Sequence, residues 1–281
     1  MSAESSKHAA EYLKSSDPDR YLASLLLAGD ARDAVQALYA FNADVASVRD
    51  RAKEPAPGEI RLRWWVDALS GEGHGGVRQN PLADALLDAI GKFRLPTAPL
   101  QRLIAARRFD LYGDPMPDLI SFEGYAGETV SVLYHLAAMI LNQGVEVETG
   151  DAAGHLGVAY ALIGHLRAFG FHAAQGRIFL PWSIFAANGV TEEEVFSGTR
   201  SEGLLAAHAQ LADIARDHLT KAEAAVAVLP RWLWPAFAPI ALLRPYLRLA
   251  EAAEETLFAP PRQIADWRKI AVLVWWGWRN R

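Results

Sequence analysis

The sequence contains no cysteine. Disulfides, thiolate zinc sites, iron–sulfur clusters and a cysteine nucleophile are therefore excluded. Positive charge is not in excess either. The formal net charge is −5 and the isoelectric point is near 5.9, so the chain lacks the basic field of a general nucleic-acid binder and no nucleic-acid partner is expected. No apolar run approaches the roughly 18 residues of a membrane span. Met1 to Lys14 holds no apolar stretch of the secretory-signal kind, so a cytoplasmic protein is expected. A GxxxxGK[ST] loop, a GxGxxG turn, HExxH and GxSxG are all missing. P-loop, Rossmann, zincin and α/β-hydrolase chemistry thus lose their usual supports.

What is present reads as helix. Of the 281 residues 51% are hydrophobic and 22% charged, an ordinary globular balance, and apolar residues recur at helical spacing while strand-like alternation is scarce. Ala34, Leu38, Phe41, Val45 and Val48 form one stripe of a helix expected from Ala31 to about Lys53. Pro55, Pro57 and Gly58 end it. A second helix covers about 59–69, stopping at the loop 71–76. Asn80-Pro81 opens a third, and a fourth covers about 99–112, broken by Gly113, Pro115 and Pro117. No proline occurs from Asp118 to Leu180, which suits two long helices over 121–142 and 151–172. Residues 176–181 read as an exposed connection. Helices over 191–196 and 201–228 and a last one after Pro260-Pro261 complete an all-α, single-domain chain. Its expected divisions are a flexible segment 1–16, a helical domain 17–258 and an aromatic, basic helix 259–281.

Several constellations could carry chemistry. Carboxylates four apart share a helix face and can hold Mg²⁺ with a diphosphate. Asp84/Asp88 and Asp213/Asp217 have that spacing, as does Asp110/Asp114, although Gly113 and Pro115 disfavour a regular helix there. In an acidic helical chain such pairs are also ordinary solvated faces. His165 and His172 lie two turns apart, about 10 Å on a continuous helix, too far for one metal ion by themselves. Residues 267–281 gather four of the nine tryptophans with four basic residues. That mixture suits either a core-capping helix or a membrane–water interface.

Three segments together resemble the squalene/phytoene synthase family of all-α isoprenoid synthases. They are Tyr21–Leu25 with Ala37–Phe41; Arg61–Trp65 leading to Phe109–Leu111 and Phe122–Tyr125; and Gly176-Arg177-Ile178-Phe179-Leu180-Pro181, which is similar to the family's G-R-[IV]-[YF]-L-P run. The similarity covers about residues 17–255. It implies an isoprenoid-synthase-like helical bundle around a central cavity. Family enzymes join two isoprenyl diphosphates head to head, with carboxylates on two facing helices holding Mg²⁺ against the leaving group.

Those carboxylates are largely missing. The first family motif reads A-F-C-R-x-x-D-D-x-x-D. Here Ala40-Phe41 leads into Asn42, Ala43, Asp44, Val45, Ala46, Ser47, Val48, Arg49 and Asp50, so only the last acid survives. Asp44 sits about 200° around the helix from Ala46, at 100° per residue. The second motif, N-x-x-R-D-x-x-E-D, keeps its arginine as Arg167, but its acids are replaced by Ala168, Phe171 and His172. One carboxylate of six remains, too few for Mg²⁺ clusters that need several oxygen ligands. At Phe171 an aromatic ring is expected to take up metal space. The first motif resembles instead the A-F-N-x-[ED]-x-A-x-[VI]-[RK]-D of non-catalytic relatives that act as assembly factors for respiratory complex I.

The resemblance thus implies a scaffold or assembly factor with no catalytic residue, metal or cofactor, and a protein partner such as a respiratory-complex subunit. A peripheral position on the inner membrane face, through residues 267–281, goes with that reading. The remnant motif positions are Asn42, Asp44 and Asp50, then Arg167, His172 and Arg177, with Tyr39, Asp110 and Tyr125 as further cavity candidates. Two alternatives stand beside it. One is an active head-to-head prenyl transferase using Asp50, Asp110 and Asp114 with Mg²⁺; the other is a lipid or isoprenoid carrier.

Overall fold

The computed structural model describes residues 2–52, 54–73, 75–252 and 256–279. Among them are helices and no strand. Helices α1 (Ala3–Ser16), α2 (Pro18–Ser24), α3 (Gly29–Ala46), α4 (Val48–Arg51), α5 (Pro55–Ser70), α6 (Pro81–Phe93) and α7 (Ala98–Arg107) form the first half. The second half contains α8 (Leu119–Ala126), α9 (Val132–Leu141), α10 (Gly150–Arg167), α11 (Phe169–Ala173), α12 (Trp182–Ala187), α13 (Glu192–Ser197), α14 (Glu202–Val228), α15 (Ile240–Glu251) and α16 (Asp266–Arg279). Starts follow local chemistry: Asn80 Oδ1 accepts from the backbone N–H of Leu82 and Ala83, and Thr191 with Glu194 closes a capping box.

The longest helix sets the frame. On α14, Leu204, Ala207, Leu211, Ala215, Leu219, Ala222 and Val226 form one buried stripe, whose alanines let α10 lie close along it. α15 packs against both, α9 also packs on α10, and α3 lies against α9.

Several segments differ from the sequence expectation, the break of the 151–172 helix at Ala168 among them. Residues 1–16, set apart as a flexible segment, carry α1, which packs on α3 and α6 with Leu13 fully buried. The stripe through Val48 is interrupted at Ser47, whose Oγ donates to the carbonyl of Asp44 at 2.8 Å and helps turn the chain into α4. The expected helix end at Lys53 lies outside the described residues. The helix expected over 121–142 is α8 and α9 joined by a π-helical turn, Gly127–Ser131. Residues 178–181 are buried rather than exposed: Ile178 accepts from the N–H of Met116 at 3.0 Å, and Met116 accepts from Trp182 at 2.7 Å. That pairing satisfies an extended backbone inside an all-helical body.

α10 also approaches the π-turn closely, at Gly157. A Cβ on Gly157 would meet Ser131 Oγ at 2.0 Å and its backbone nitrogen at 2.6 Å, whereas one on Gly154 meets nothing within 4 Å. Gly157→Ala is expected to cost about 2 kcal/mol. Gly154→Ala should be neutral or stabilising by up to about 1 kcal/mol. Urea denaturation followed by circular dichroism separates the two.

Candidate functional site

Two helix breaks bring the motif remnants together. The break at Ser47 aims Arg49 inward, and a break at Ala168 separates α10 from α11. His165 and His172, whose backbones would be about 10 Å apart on an unbroken helix, have ring centroids 5.3 Å apart across that break. Arg49 Nη2 stands 3.2 Å from His172 Nε2, and its guanidinium lies 4.2 Å from the centroid of Phe179. Phe179 in turn stacks on His165, which meets the edge of Phe122. Arginine only donates, so His172 Nε2 is the acceptor and the ring proton sits on Nδ1. Burial holds His165 well below the ordinary histidine range, assisted by His172 and Arg49. Burial, with Arg49 and Arg177, brings His172 down to about 3. Both rings are neutral at pH 7.

The other remnants take separate places. Asp50 is half-exposed, with Oδ1 3.3 Å from Arg49 Nε. Arg177 follows His172 through a backbone bond of 3.0 Å, and its buried Nη1 has no protein partner. Asn42 is buried with Oδ1 unpartnered. Asp44 turns away from this centre: it accepts from Trp65 Nε1 at 2.9 Å, from Arg51 at 2.7 Å and from Tyr12 Oη at 3.3 Å. It ties α1, α4 and α5 to α3. Arg167 also points elsewhere, lying 3.5 Å over the Tyr246 ring and donating to Gln263. The ring of Phe171, expected in metal space, is 51% exposed and meets only the edge region of His172 at 5.8 Å; the arginine, not the phenylalanine, faces the second motif.

Two further arginines are enclosed nearby in the bundle. Arg107 Nη1 donates to Tyr125 Oη at 2.6 Å and to Asp110 Oδ2 at 3.1 Å, and Tyr125 Oη donates to Asp110 Oδ1 at 2.7 Å. Asp110 is thus enclosed while Asp114 is exposed, because the 3₁₀ turn Arg108–Leu111 ends between them. Arg20 is paired with Asp17 at 3.3 Å and lies over the rings of Tyr160, Tyr39 and Tyr134 at 4.3, 5.2 and 5.9 Å. Neither arginine stood out in the sequence, and Arg49 did so only as the [RK] position of the assembly-factor motif. Their shared signal is a nearby aspartate: Asp17, Asp110 and Asp50. Surface arginines show the same signal.

This donor set does not fit Mg²⁺. The retained carboxylate is bound to Arg49, neutral imidazoles replace oxygens, and no three His, Asp or Glu side chains among the described residues converge on one point. The other paired carboxylates are engaged as well: Arg78 bridges Asp84 and Asp88 at 2.6 and 2.7 Å, Arg216 binds Asp213, and Lys221 binds Asp217 at 2.7 Å. Between α2, α10 and α15 is a cavity of about 60 Å³ lined by Asp19, Tyr160, Arg167 and Tyr246. That is well below the roughly 300 Å³ at which small-molecule sites begin.

A model of the squalene/phytoene synthase family matches residues 13–270. The chain is 28% identical to the NADH dehydrogenase (ubiquinone) complex I assembly factor 6 of Bos taurus, over 98% of this chain and 82% of that protein. It is 26% identical to the homologue of that factor in Dictyostelium discoideum, over 89% and 71%. To the 15-cis-phytoene synthase of Synechococcus elongatus it is 24% identical, over 90% and 86%. Among solved structures, a dehydrosqualene synthase superposes with a TM-score of 0.80 at 20% identity, covering 96% of this chain and 94% of that one. A squalene synthase from Alicyclobacillus acidocaldarius gives 0.69 at 19% identity, covering 98% and 95%. Those structures establish the isoprenoid-synthase bundle.

The neutral histidine pair has a measurable consequence. An unfolded histidine titrates near 6.5, so below that pH the unfolded chain binds protons that folded His165 and His172 refuse. Stability is therefore complete above about pH 6.5 and falls as pH drops toward about 3, by up to about 1.4 kcal/mol per pH unit for each histidine. His172→Gln, which keeps an acceptor for Arg49, should remove about one such increment from the slope. Urea midpoints compared between neutral pH and about pH 5 read it directly.

Proposed function

The chain belongs to the squalene/phytoene synthase family, and we propose that within it this protein is a non-catalytic member that serves as an assembly factor for respiratory complex I. One observation carries the non-catalytic part. Arg49 faces His172 at 3.2 Å between the two segments on which family enzymes place their metal-binding acids. A fixed guanidinium supplies positive charge there without a metal, and it repels any cation approaching Asp50. Charge separation of a prenyl diphosphate needs Mg²⁺ that neutralises the leaving group, and this centre offers neutral imidazoles and an arginine instead. Support for the assembly role comes from the similarity to complex I assembly factor 6 over nearly the whole chain.

In this reading the bundle is retained as a rigid body that presents surface to a protein partner, a subunit or intermediate of the respiratory complex. The Arg49–His172–Phe179 cluster holds α4, α11 and the buried 178–181 segment together, so it contributes shape rather than turnover. No cofactor is required.

Incubation of the purified protein with farnesyl diphosphate, Mg²⁺ and NADPH is expected to yield no presqualene diphosphate, squalene or farnesol above a heat-killed control, by mass spectrometry. Deletion of the gene in its native host should lower assembled complex I on native gels. The wild-type gene and an Asp114→Asn version, which removes an exposed acid that the enzyme alternative would need, should restore it equally, because no metal ligand is at stake. Turnover, or complex I left intact by the deletion, refutes the proposal.

A further inference from the structure

α16 has two apolar faces, and the body of the protein covers one. Lys269, Val272, Leu273 and Trp276 point inward. Lys269 is buried and bonded to Asp19 at 2.8 Å, Leu273 is buried, and Trp276 lies against Trp234. A Cβ on Gly277 would already touch Leu26. The helix is therefore fixed in rotation. The opposite stripe, Trp267, Ile270, Ala271, Val274 and Trp278, follows i, i+3, i+4, i+7, i+11 and is exposed throughout, Trp267 to 66% and Trp278 to 73%. Trp275 and, from the 3₁₀ segment Arg231–Phe237, Trp232 extend it. A contiguous exposed apolar stripe of this kind is uncommon on a soluble surface.

The exposed charge on it is mostly basic. Residues 267–281 contain four basic residues and no acid, on a chain of net charge −5. Lys269 is buried and engaged by Asp19 and by Asp266, the exposed first residue of the helix, and Asn280 and Arg281 lie outside the described residues, which leaves Arg268 and Arg279 at the surface. Arg268 lies 5.0 Å over Trp267 and Arg279 5.3 Å over Trp275, so each guanidinium rides on an indole. Beside the stripe, a groove of about 530 Å³ is lined by Leu26, Arg231, Trp232, Trp276 and Trp278, again without an acid. Indoles with arginines on their faces suit the boundary between lipid headgroups and acyl chains. With 14 residues, about 21 Å long at 1.5 Å each, α16 is too short to cross a bilayer of about 30 Å. No described helix is long and apolar enough to do so.

We infer that α16, with Trp232 beside it, is an interfacial helix that seats the protein on an anionic lipid surface, rings inserted and arginines at the headgroups. Salt-dependent attraction and ring insertion contribute together. The inference is independent of the assembly role.

The test is flotation of the full chain with phosphatidylcholine vesicles and with phosphatidylcholine–phosphatidylglycerol vesicles. Binding is expected on the anionic vesicles, weakened by salt and at least about tenfold weaker on the neutral ones, since each arginine near the surface is worth about fivefold. The double variant Val274→Ser, Trp278→Ser should lose at least about tenfold. Arg268→Glu with Arg279→Glu should abolish the preference for anionic vesicles. All four side chains are exposed, so melting curves should match the wild type. No flotation on anionic vesicles, or flotation that both variants leave undiminished, overturns the inference. So does wild-type self-association in light scattering, with no flotation, that the serine variant dissolves.

Discussion

Three guanidinium groups are buried, or nearly so, inside this helical bundle, and the surrounding structure is arranged around keeping them charged. A buried arginine cannot give up its proton, so its desolvation has to be offset by geometry. Each has the same two supports. An aspartate close in sequence supplies countercharge: Asp17 for Arg20, Asp50 for Arg49, Asp110 for Arg107. Aromatic faces supply the rest, with three tyrosines around Arg20, Phe179 under Arg49 and Tyr125 beside Arg107. Removing an aspartate would leave an uncompensated cation, and removing a ring would open space beside it.

That arrangement explains features that look unrelated. The helix breaks at Ser47 and Ala168 are where Arg49 and His172 turn to meet. The 178–181 segment runs through the interior because Phe179 is one wall of that meeting. His172 stays neutral because burial and two neighbouring arginines oppose a further proton, and its lone pair is then free to accept from Arg49. In the proposed reading the Arg49 guanidinium takes the place that metal-binding acids occupy in the family motif, so positive charge at the centre belongs to the chain itself.

The outer surface follows a simpler rule. α16 is held by one buried ion pair, Lys269–Asp19, and a few apolar contacts, which fix which face looks outward. A helix whose inner stripe is satisfied and whose outer stripe is equally apolar has a second environment to find. The basic residues on its tryptophans indicate what that environment is made of.

Much of this was legible in the residues. Apolar spacing and the proline-free stretch set an all-α chain, the asparagine and proline starts marked helix ends, and the motif positions from Ala40 to Asp50 and from Gly164 to His172 showed both the family resemblance and its missing carboxylates, because those are local patterns of residue type and interval. The rest was decided in three dimensions. The rings of His165 and His172 stand 5.3 Å apart across a break at Ala168, whereas periodicity assumes an unbroken helix. Residues 178–181 looked like a loop because extended apolar segments carry no helical period, and the partner that buries them, Met116, is about sixty residues away. Asp44 reads as a motif remnant yet faces α1, α4 and α5, and Arg20 carries no motif yet is buried, for sequence does not say which way a helix is rotated. That rotation is set by neighbours distant in the chain, so only the assembled bundle determined which charges went inside.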